Sequence, residues 1–456
     1  MELSIAKRNT MMGVLMIGGF LSSMSLSMLT SALPSIMDYF EITATRAQLL
    51  TTGYILILGV VSAVTAYLIN KYKTKNLFLW SVGIFLLGNL IAGFAPNFTI
   101  LLIARIMQAM GGGILLPQIQ VFALRVYPKE QKGKAMSLVG LVVAFPPALG
   151  PIFSGVFVDN LGWQSIFLFT SIMAAIVFIL GICFVKDVGE TYEEKLDWLS
   201  LVLYAVGFCT FMLGVTNYED YGISLLYTIA PVVVGILCLT TFSLRQFRIT
   251  KPLMELRAFR DRKFTTACIL IQILYMANML GVTLLPLYVQ NARGLSATVS
   301  GLVLLPSALL TIIVTPIIGR MYDKKGPRIM TLFGIVMLLI GNSSFIFFDG
   351  KVSIVLVIVA YCFRVIGIAI IMPLMAYGLG DLREEMISHG NALISSARQM
   401  GGSVGTTILI SVASLNSTRS VIDAHGINVS FAIQSIIYGA ILIYAFVMIR
   451  EHKIAK

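Results

Sequence analysis

The sequence predicts an all-α polytopic membrane protein, and three observations carry that prediction. Of its 456 residues, 58% are hydrophobic and 12% charged, with a mean hydropathy of +0.91, whereas soluble domains run to about 45–50% apolar and about 25% charged. The apolar residues fall in blocks of roughly 20, and at 1.5 Å per residue a helix of that length crosses a hydrocarbon core of about 30 Å. The basic residues concentrate between alternate blocks, the pattern that sets orientation in a bilayer. A water-soluble enzyme is excluded, and the net charge of +12 needs no nucleic acid to explain it.

Fourteen spans are expected, at 11–34, 46–69, 77–95, 98–122, 135–157, 164–185, 197–216, 223–245, 264–288, 298–319, 329–348, 352–376, 391–414 and 429–449. The first, beginning at Met11, is too long for a signal-peptide core of about 7–15 residues and is expected to remain as a span. An even number puts both termini on one side. Of the 33 Lys and Arg, 26 fall in one set of loops and ends, 4 (Arg46, Arg293, Lys351, Arg419) in the other, and 3 (Arg105, Arg364, Arg398) inside spans. The positive-inside rule then makes both termini cytoplasmic. The densest block, Arg245 to Lys263, follows the eighth span and reads as a cytoplasmic linker or surface helix.

Taken in chain order, span 1 carries Ser23, Ser27 and Ser31 at i, i+4, i+8, with Thr30 alongside. That spacing shares one helical face, which either lines a cavity or serves helix packing. Span 2 runs into a loop that begins at Ala66 and holds Asn70 and Lys71. Span 4 places Arg105 about 10 Å from its outer end, too deep for simple snorkelling, with Gln108, Gly111, Gly112, Gly113 and Pro117 after it. A charge at that depth needs a cavity or a polar partner. Span 5 holds Gly140, Pro146, Pro147, Gly150, Pro151 and Gly155, a run that bends a helix and lets neighbours approach closely.

Span 9 supplies Gln272, Tyr275, Met276 and Met279, an adaptable amphipathic mixture at helical spacing. A tight turn with Gly319, Asp323, Gly326 and Arg328 follows span 10. Span 12 buries Arg364 and reaches Pro373; near span 13, His389 reads as a loop histidine and Arg398 as a third charge inside a span. Spans 4 and 12, the openings of spans 5 and 13, and the loops after spans 2 and 10 correspond in pairs. The chain therefore divides into a six-helix half at 1–190, two inserted central helices at 191–250, and a second six-helix half at 251–456. All five cysteines lie in apolar segments, so no disulfide framework is implied. No cofactor, metal cluster, nucleotide loop or nucleophile–base pair is read from the sequence, which argues against an enzyme.

Together these motifs resemble the major facilitator superfamily, specifically its fourteen-span drug:proton antiporters of the QacA/EmrB type. The stretches Pro252-Leu253-Met254-Glu255-Leu256-Arg257-Ala258-Phe259 and Leu285-Pro286-Leu287-Tyr288-Val289-Gln290 are also family-like. The resemblance implies that Gly140, Pro147, Gly150, Pro151 and Gly155 form the antiporter motif where the halves meet, with Ser154 standing where a second glycine is usual. It implies that Arg105 takes part in proton transfer. It also implies that the loops after spans 2 and 10 latch the cytoplasmic side, through Asn70, Lys71, Gly319, Asp323, Gly326 and Arg328. In the first-half loop Asn70 replaces the aspartate and Ala66 the glycine, so a weaker latch is expected there.

Related exporters place an acid in span 1, and here that position reads Ser25. No Asp or Glu falls in a span core, which leaves the peripheral Asp38, Glu41 and Asp159 to couple protons together with Arg105. Divalent lipophilic cations are then expected to be poor substrates, since hydroxyl dipoles alone do not meet their desolvation cost. Ser23, Ser27, Thr30, Ser31, Gln108, Gln272, Tyr275, Met276, Met279, Arg364 and Arg398 are the expected substrate-cavity residues. The function implied is proton-coupled export of small amphipathic molecules across a bacterial cytoplasmic membrane, by a monomer. Export of an endogenous lipid, fatty acid or metabolite stands as the alternative, and a non-transporting sensor or scaffold as a third.

Overall fold

The computed structural model describes residues 4–189, 191–192, 196–250, 252–295, 297–349, 351–415 and 424–449. Among them the α-helices are α1 (Ile5–Phe40), α2 (Ala44–Lys71), α3 (Thr74–Gly93), α4 (Phe98–Val126), α5 (Lys132–Ala144), α6 (Pro146–Leu161), α7 (Gln164–Phe184), α8 (Trp198–Tyr221), α9 (Ala230–Arg248), α10 (Arg262–Leu287), α11 (Ala297–Lys325), α12 (Pro327–Ser344), α13 (Ile354–Ile368), α14 (Ile371–Leu379), α15 (Glu384–Leu415) and α16 (Ala424–Met448). Their starts follow from capping chemistry. Ser4, Thr43, Asn97, Asp197 and Asp261 each accept a hydrogen bond from a first-turn backbone N–H, satisfying a donor that the helix itself leaves free. Gly326, at φ +84°, lets the chain turn from α11 into α12 within one residue.

Among the described residues twelve helical segments are long and apolar enough to cross a membrane, two fewer than the fourteen expected. The two that fall short are the segments expected at 135–157 and 391–414. The first is broken at Phe145 into α5, of 13 residues, and α6, of 16. Pro146 and Pro147 have no N–H to return to the carbonyls of the preceding turn, so the helix bends and restarts there. The second lies inside α15, which is continuous over 32 residues. Its apolarity is lowered by Asn391, Ser395, Ser396, Arg398, Thr406 and Thr407, several of them buried inside the bundle.

Packing groups α1–α7 together and α10–α16 together, with α5 against α11 and α14, and α15 against α2 and α4, where the groups meet. The α8–α9 hairpin is closed by glycine: a side chain at Gly207, Gly214 or Gly235 would run into the backbone or Cβ of the facing helix. At the hairpin's basic end Arg245 donates through Nε and Nη2 to Asp197 at 3.0 and 3.1 Å, and Gln246 donates to Ser200 at 2.7 Å. Burial raises the Asp197 pKa, but the bonds from Arg245 and Ser200 outweigh it and hold the carboxyl below its ordinary range. The hairpin docks through α8 on α2 and α15, with Phe208 packed flush on Gly59.

Candidate functional site

The buried arginines organise the polar interior, and each has a different environment. Arg105, on α4, is 0% exposed. Its Nη1 donates to Gln108 Oε1 at 2.6 Å and to Ser25 Oγ at 3.2 Å, and its guanidinium lies 4.2 Å from the Tyr54 ring centroid. Gln108 passes the network on to Asn89 at 3.2 Å, while Tyr54 contacts Ser22. Oxygen acceptors and a ring face thus take the place of a carboxylate, and Nε and Nη2 of Arg105 have no acceptor among the described residues. A cation held this way keeps its charge while part of its hydrogen-bonding capacity stays open.

Arg364, on α13, donates to Asn342 Oδ1 at 2.8 Å and lies 5.2 Å from the Phe431 ring centroid. Asn342 in turn donates to the Phe431 carbonyl and to Ser435, both at 2.9 Å. The two arginines are not repeat equivalents. A Cβ on Gly88 would strike the Ala104 carbonyl and the Gln108 backbone, and one on Gly341 would strike the Ala360 carbonyl and the Arg364 backbone. Gly111 and Gly367 touch α3 and α12 in the matching way. The register therefore pairs Asn89 with Asn342 and Gln108 with Arg364, and leaves Tyr361 opposite Arg105.

Arg398, on α15, is 7% exposed and lines a cavity of about 280 Å³ between α5 and the second group of helices. Its guanidinium stands 5.0 Å from the Tyr275 ring centroid. Asn278, Met279, Ser307, Thr311, Thr315 and Tyr361 line the same cavity, with Gly140 and Ala144 from α5. Among the residues described as lining it there is no carboxylate.

At the basic end two latches join the groups. Asp323 accepts from the backbone N–H of Gly133 and of Lys134, both at 2.8 Å, at the start of α5. An anion at a helix N-terminus meets unsatisfied donors and the positive end of the helix dipole. The matching position, Asn70, bonds to Arg125 at 3.0 Å and meets Ser388, the Glu385 carbonyl and His389 at the start of α15. Asparagine serves here because it both accepts from Arg125 and donates across the interface, so this copy is as fully bonded as the aspartate one. His389 is not a loop residue: it is buried within α15, with Nδ1 3.2 Å from the Leu253 carbonyl. Lys132 donates to the Gly380 carbonyl and Lys263 pairs with Asp381 nearby.

The other expected residues are distributed as follows. Tyr275, Met279, Arg398 and Gly140 share the cavity; Met276 packs on Gly405, and Gln272 on Gly401. Ser27 lies 3.0 Å from the carbonyls of Met24 and Pro146 and directly over Gly150, a packing position against α6, and Ser23 is half-buried. Nothing lies within 4 Å of where a Cβ on Gly155 would be. Arg364 joins its own cluster and is not among the residues lining the cavity. Asp38 and Glu41 are exposed at the far end of α1, about 20 Å from Ser25 at 1.5 Å per residue. Lys71 bonds to Tyr67, a Cβ on Gly319 would strike Ser137, and Arg328 stacks on Phe446. The side chains of Thr30, Ser31, Pro147, Pro151 and Asp159 lie outside the described residues. Reasoning from sequence missed Tyr54, Asn89, Asn278 and Asn342. The Gly-Asn pair repeated at 88–89 and 341–342 is a signal for two of them.

The Major Facilitator Superfamily model matches residues 15–406. The MFS-type transporter YcnB of Bacillus subtilis (strain 168) is 36% identical over 437 residues, covering 94% of this chain and 93% of its own length. The lincomycin resistance protein LmrB of the same organism is 36% identical over 401 residues, covering 87% of this chain and 84% of its own. In structure the chain is similar to a double-tryptophan variant of XylE, with a TM-score of 0.71 at 15% identity, over 99% of this chain and 97% of that one. An all-helical bundle whose two groups of helices meet around a cavity, matched over this length and at this identity, is that of a membrane transporter and not an enzyme: the chain belongs to the Major Facilitator Superfamily.

Proposed function

We propose that this chain is a multidrug exporter that moves amphipathic small molecules out of a bacterial cytoplasm by proton antiport and alternating access. The observation that carries the reading is the mainly apolar cavity between the two groups of helices, set beyond a basic end that both latches hold shut. A basic end facing the cytoplasm follows the positive-inside rule and places both termini there. Closure at that end then corresponds to a state in which cargo is released to the outside. The relationship to a lincomycin resistance protein supports a cargo that includes antibiotics.

In this reading α5–α6 and α15 cross the membrane with the twelve apolar segments, giving the fourteen-span QacA/EmrB arrangement. The halves are residues 1–190 and 251–456, with α8 and α9 between them in 191–250. α5–α6 and α15 pack along helices that are long and apolar enough to span, and a buried span tolerates the polar face that α15 carries. Proton coupling is assigned to Arg105, working with Asp38, Glu41 and Asp159 reached through water. The Gly140–Gly155 segment supplies the bend about which α5–α6 moves. A monomer is sufficient, since the cavity is built from one chain.

The test is expression in a host lacking its own pumps. Wild-type protein is expected to raise resistance to several amphipathic antibiotics and to extrude a fluorescent amphipath, with extrusion abolished by a protonophore. Unchanged extrusion after the proton gradient is collapsed would remove antiport. Export of an endogenous anionic amphipath is a second reading, favoured by Arg398 being the one charged residue among those described as lining the cavity.

A further inference from the structure

The substrate class is written in the cavity's charge. Arg398 is a permanent cation, since guanidinium does not deprotonate in proteins. It is more than nine-tenths buried, and no hydrogen bond or ion pair to it is found among the described residues; its Nη1 is buried with no acceptor. Its neighbour is the face of Tyr275, 5.0 Å away, which steadies a cation but supplies no countercharge. Arg105 and Arg364 by contrast each have an amide oxygen within 2.8 Å. Where the other two are held by amide oxygens of the protein, Arg398 lines the cavity with no protein acceptor among the described residues.

The rest of the wall sorts by polarity. Val143, Ala144, Val282, Leu304, Ile368 and Met372 make an apolar surface, while Asn278 adds a neutral polar side chain. The volume of about 280 Å³ is near the lower edge of small-molecule sites, which run to about 300–1,000 Å³. A buried cation of this kind repels a second positive charge in low dielectric and rewards an oxyanion that can accept two parallel N–H bonds.

We infer that the cavity binds compact amphipaths bearing a single carboxylate or comparable oxyanion, with the anion on Arg398 and the apolar body along α5, α10, α11 and α14. Cationic amphipaths of the same body are selected against. This deepens the export reading and rests on it for the consequence of binding, although binding itself is measured separately.

The experiment uses the purified full-length protein and three probes with one naphthyl body: naphthylacetate, its neutral amide, and a naphthylmethyl trimethylammonium. Acetate serves as the anion without the body. Equilibrium binding is measured in detergent, and transport of the same compounds in proteoliposomes. Wild-type protein is expected to bind naphthylacetate about tenfold or more tightly than the trimethylammonium compound, with acetate far weaker, the scale of a charge-assisted hydrogen bond. Arg398→Gln is expected to lose about tenfold for naphthylacetate and less than about twofold for the amide. Arg398→Lys is expected to recover part of the loss, because it restores charge without the planar fork.

Unchanged amide binding shows that Arg398→Gln remains folded; if that variant does not fold, the wild-type ranking and Arg398→Lys still decide. The inference is overturned if the cation binds best, if acetate matches naphthylacetate, or if Arg398→Gln keeps the wild-type preference for naphthylacetate. Carboxylate-selective binding without transport of any probe would retain the inference and contradict export. Transport without charge preference would do the reverse.

Discussion

At Arg105 the guanidinium is held by a hydroxyl, an amide oxygen and a ring face, each contributing an attraction without a counter-ion. Replacing it by alanine removes the donor that satisfies Gln108 Oε1 and Ser25 Oγ, at about 1–3 kcal/mol for each polar group left unpaired in a buried site. Arg105→Ala is therefore expected to insert and fold with a lowered melting temperature, and to lose coupled export. Normal proton-driven export by that variant would take Arg105 out of the mechanism. The depth of Arg105 in its span made its need for partners legible in the sequence, but not their identity. Tyr54 and Asn89 come from other helices, and nothing in the α4 sequence points to them. The likeness of Arg105 to Arg364 was misleading for the same reason, because repeat register is set by which glycines face the neighbouring helix.

At the scale of elements, close packing at glycine decides how α3 meets α4 and how α12 meets α13. A Cβ at Gly88 would lie 2.8 Å from the Gln108 backbone, and one at Gly341 would lie 2.5 Å from the Ala360 carbonyl. Neither neighbour is the movable end of a side chain, so each helix pair must separate. Gly88→Ala and Gly341→Ala are expected to lower the melting temperature and to weaken the Arg105 and Arg364 clusters, whereas Gly155→Ala, with open space around it, is expected to be neutral or to gain up to about 1 kcal/mol from helix propensity. Thermal unfolding of the three variants in one detergent checks this, and equal losses at all three would contradict it. The sequence made these spans and the break in the fifth legible through apolar runs and paired prolines. It did not show that α5 and α6 are each too short to cross alone. Nor did it show that His389 is buried, because burial there comes from Leu253 and Asn70, distant along the chain.

For the whole molecule, two sets of hydrogen bonds at the basic end join the groups in a twofold pattern. Asp323 on α11 holds α5, Asn70 on α2 holds α15, and both bonds cross between the groups at the end richest in Lys and Arg. The paired segments were legible from their sequences, although Asn70 and Asp323 lie in the last turns of α2 and α11 and not in loops, and replacement of aspartate by Asn70 suggested weak bonding where the structure shows a well-bonded side chain. If that end is cytoplasmic, single reporter cysteines at Asp187 and Arg257, in a cysteine-free background, will resist an impermeant thiol reagent added outside cells and react once the membrane is opened. Labelling of either from outside would overturn the orientation and the membrane crossings that lead to it.

The central claim, export driven by protons through a latched bundle, is tested most directly by proton flux in proteoliposomes carrying an imposed pH gradient and a lumenal pH dye. Addition of a transported amphipath is expected to speed collapse of the gradient in wild-type vesicles, in proportion to the compound moved, and to leave Arg105→Ala vesicles at the protein-free rate. Transport of the compound with no change in proton flux would contradict the account.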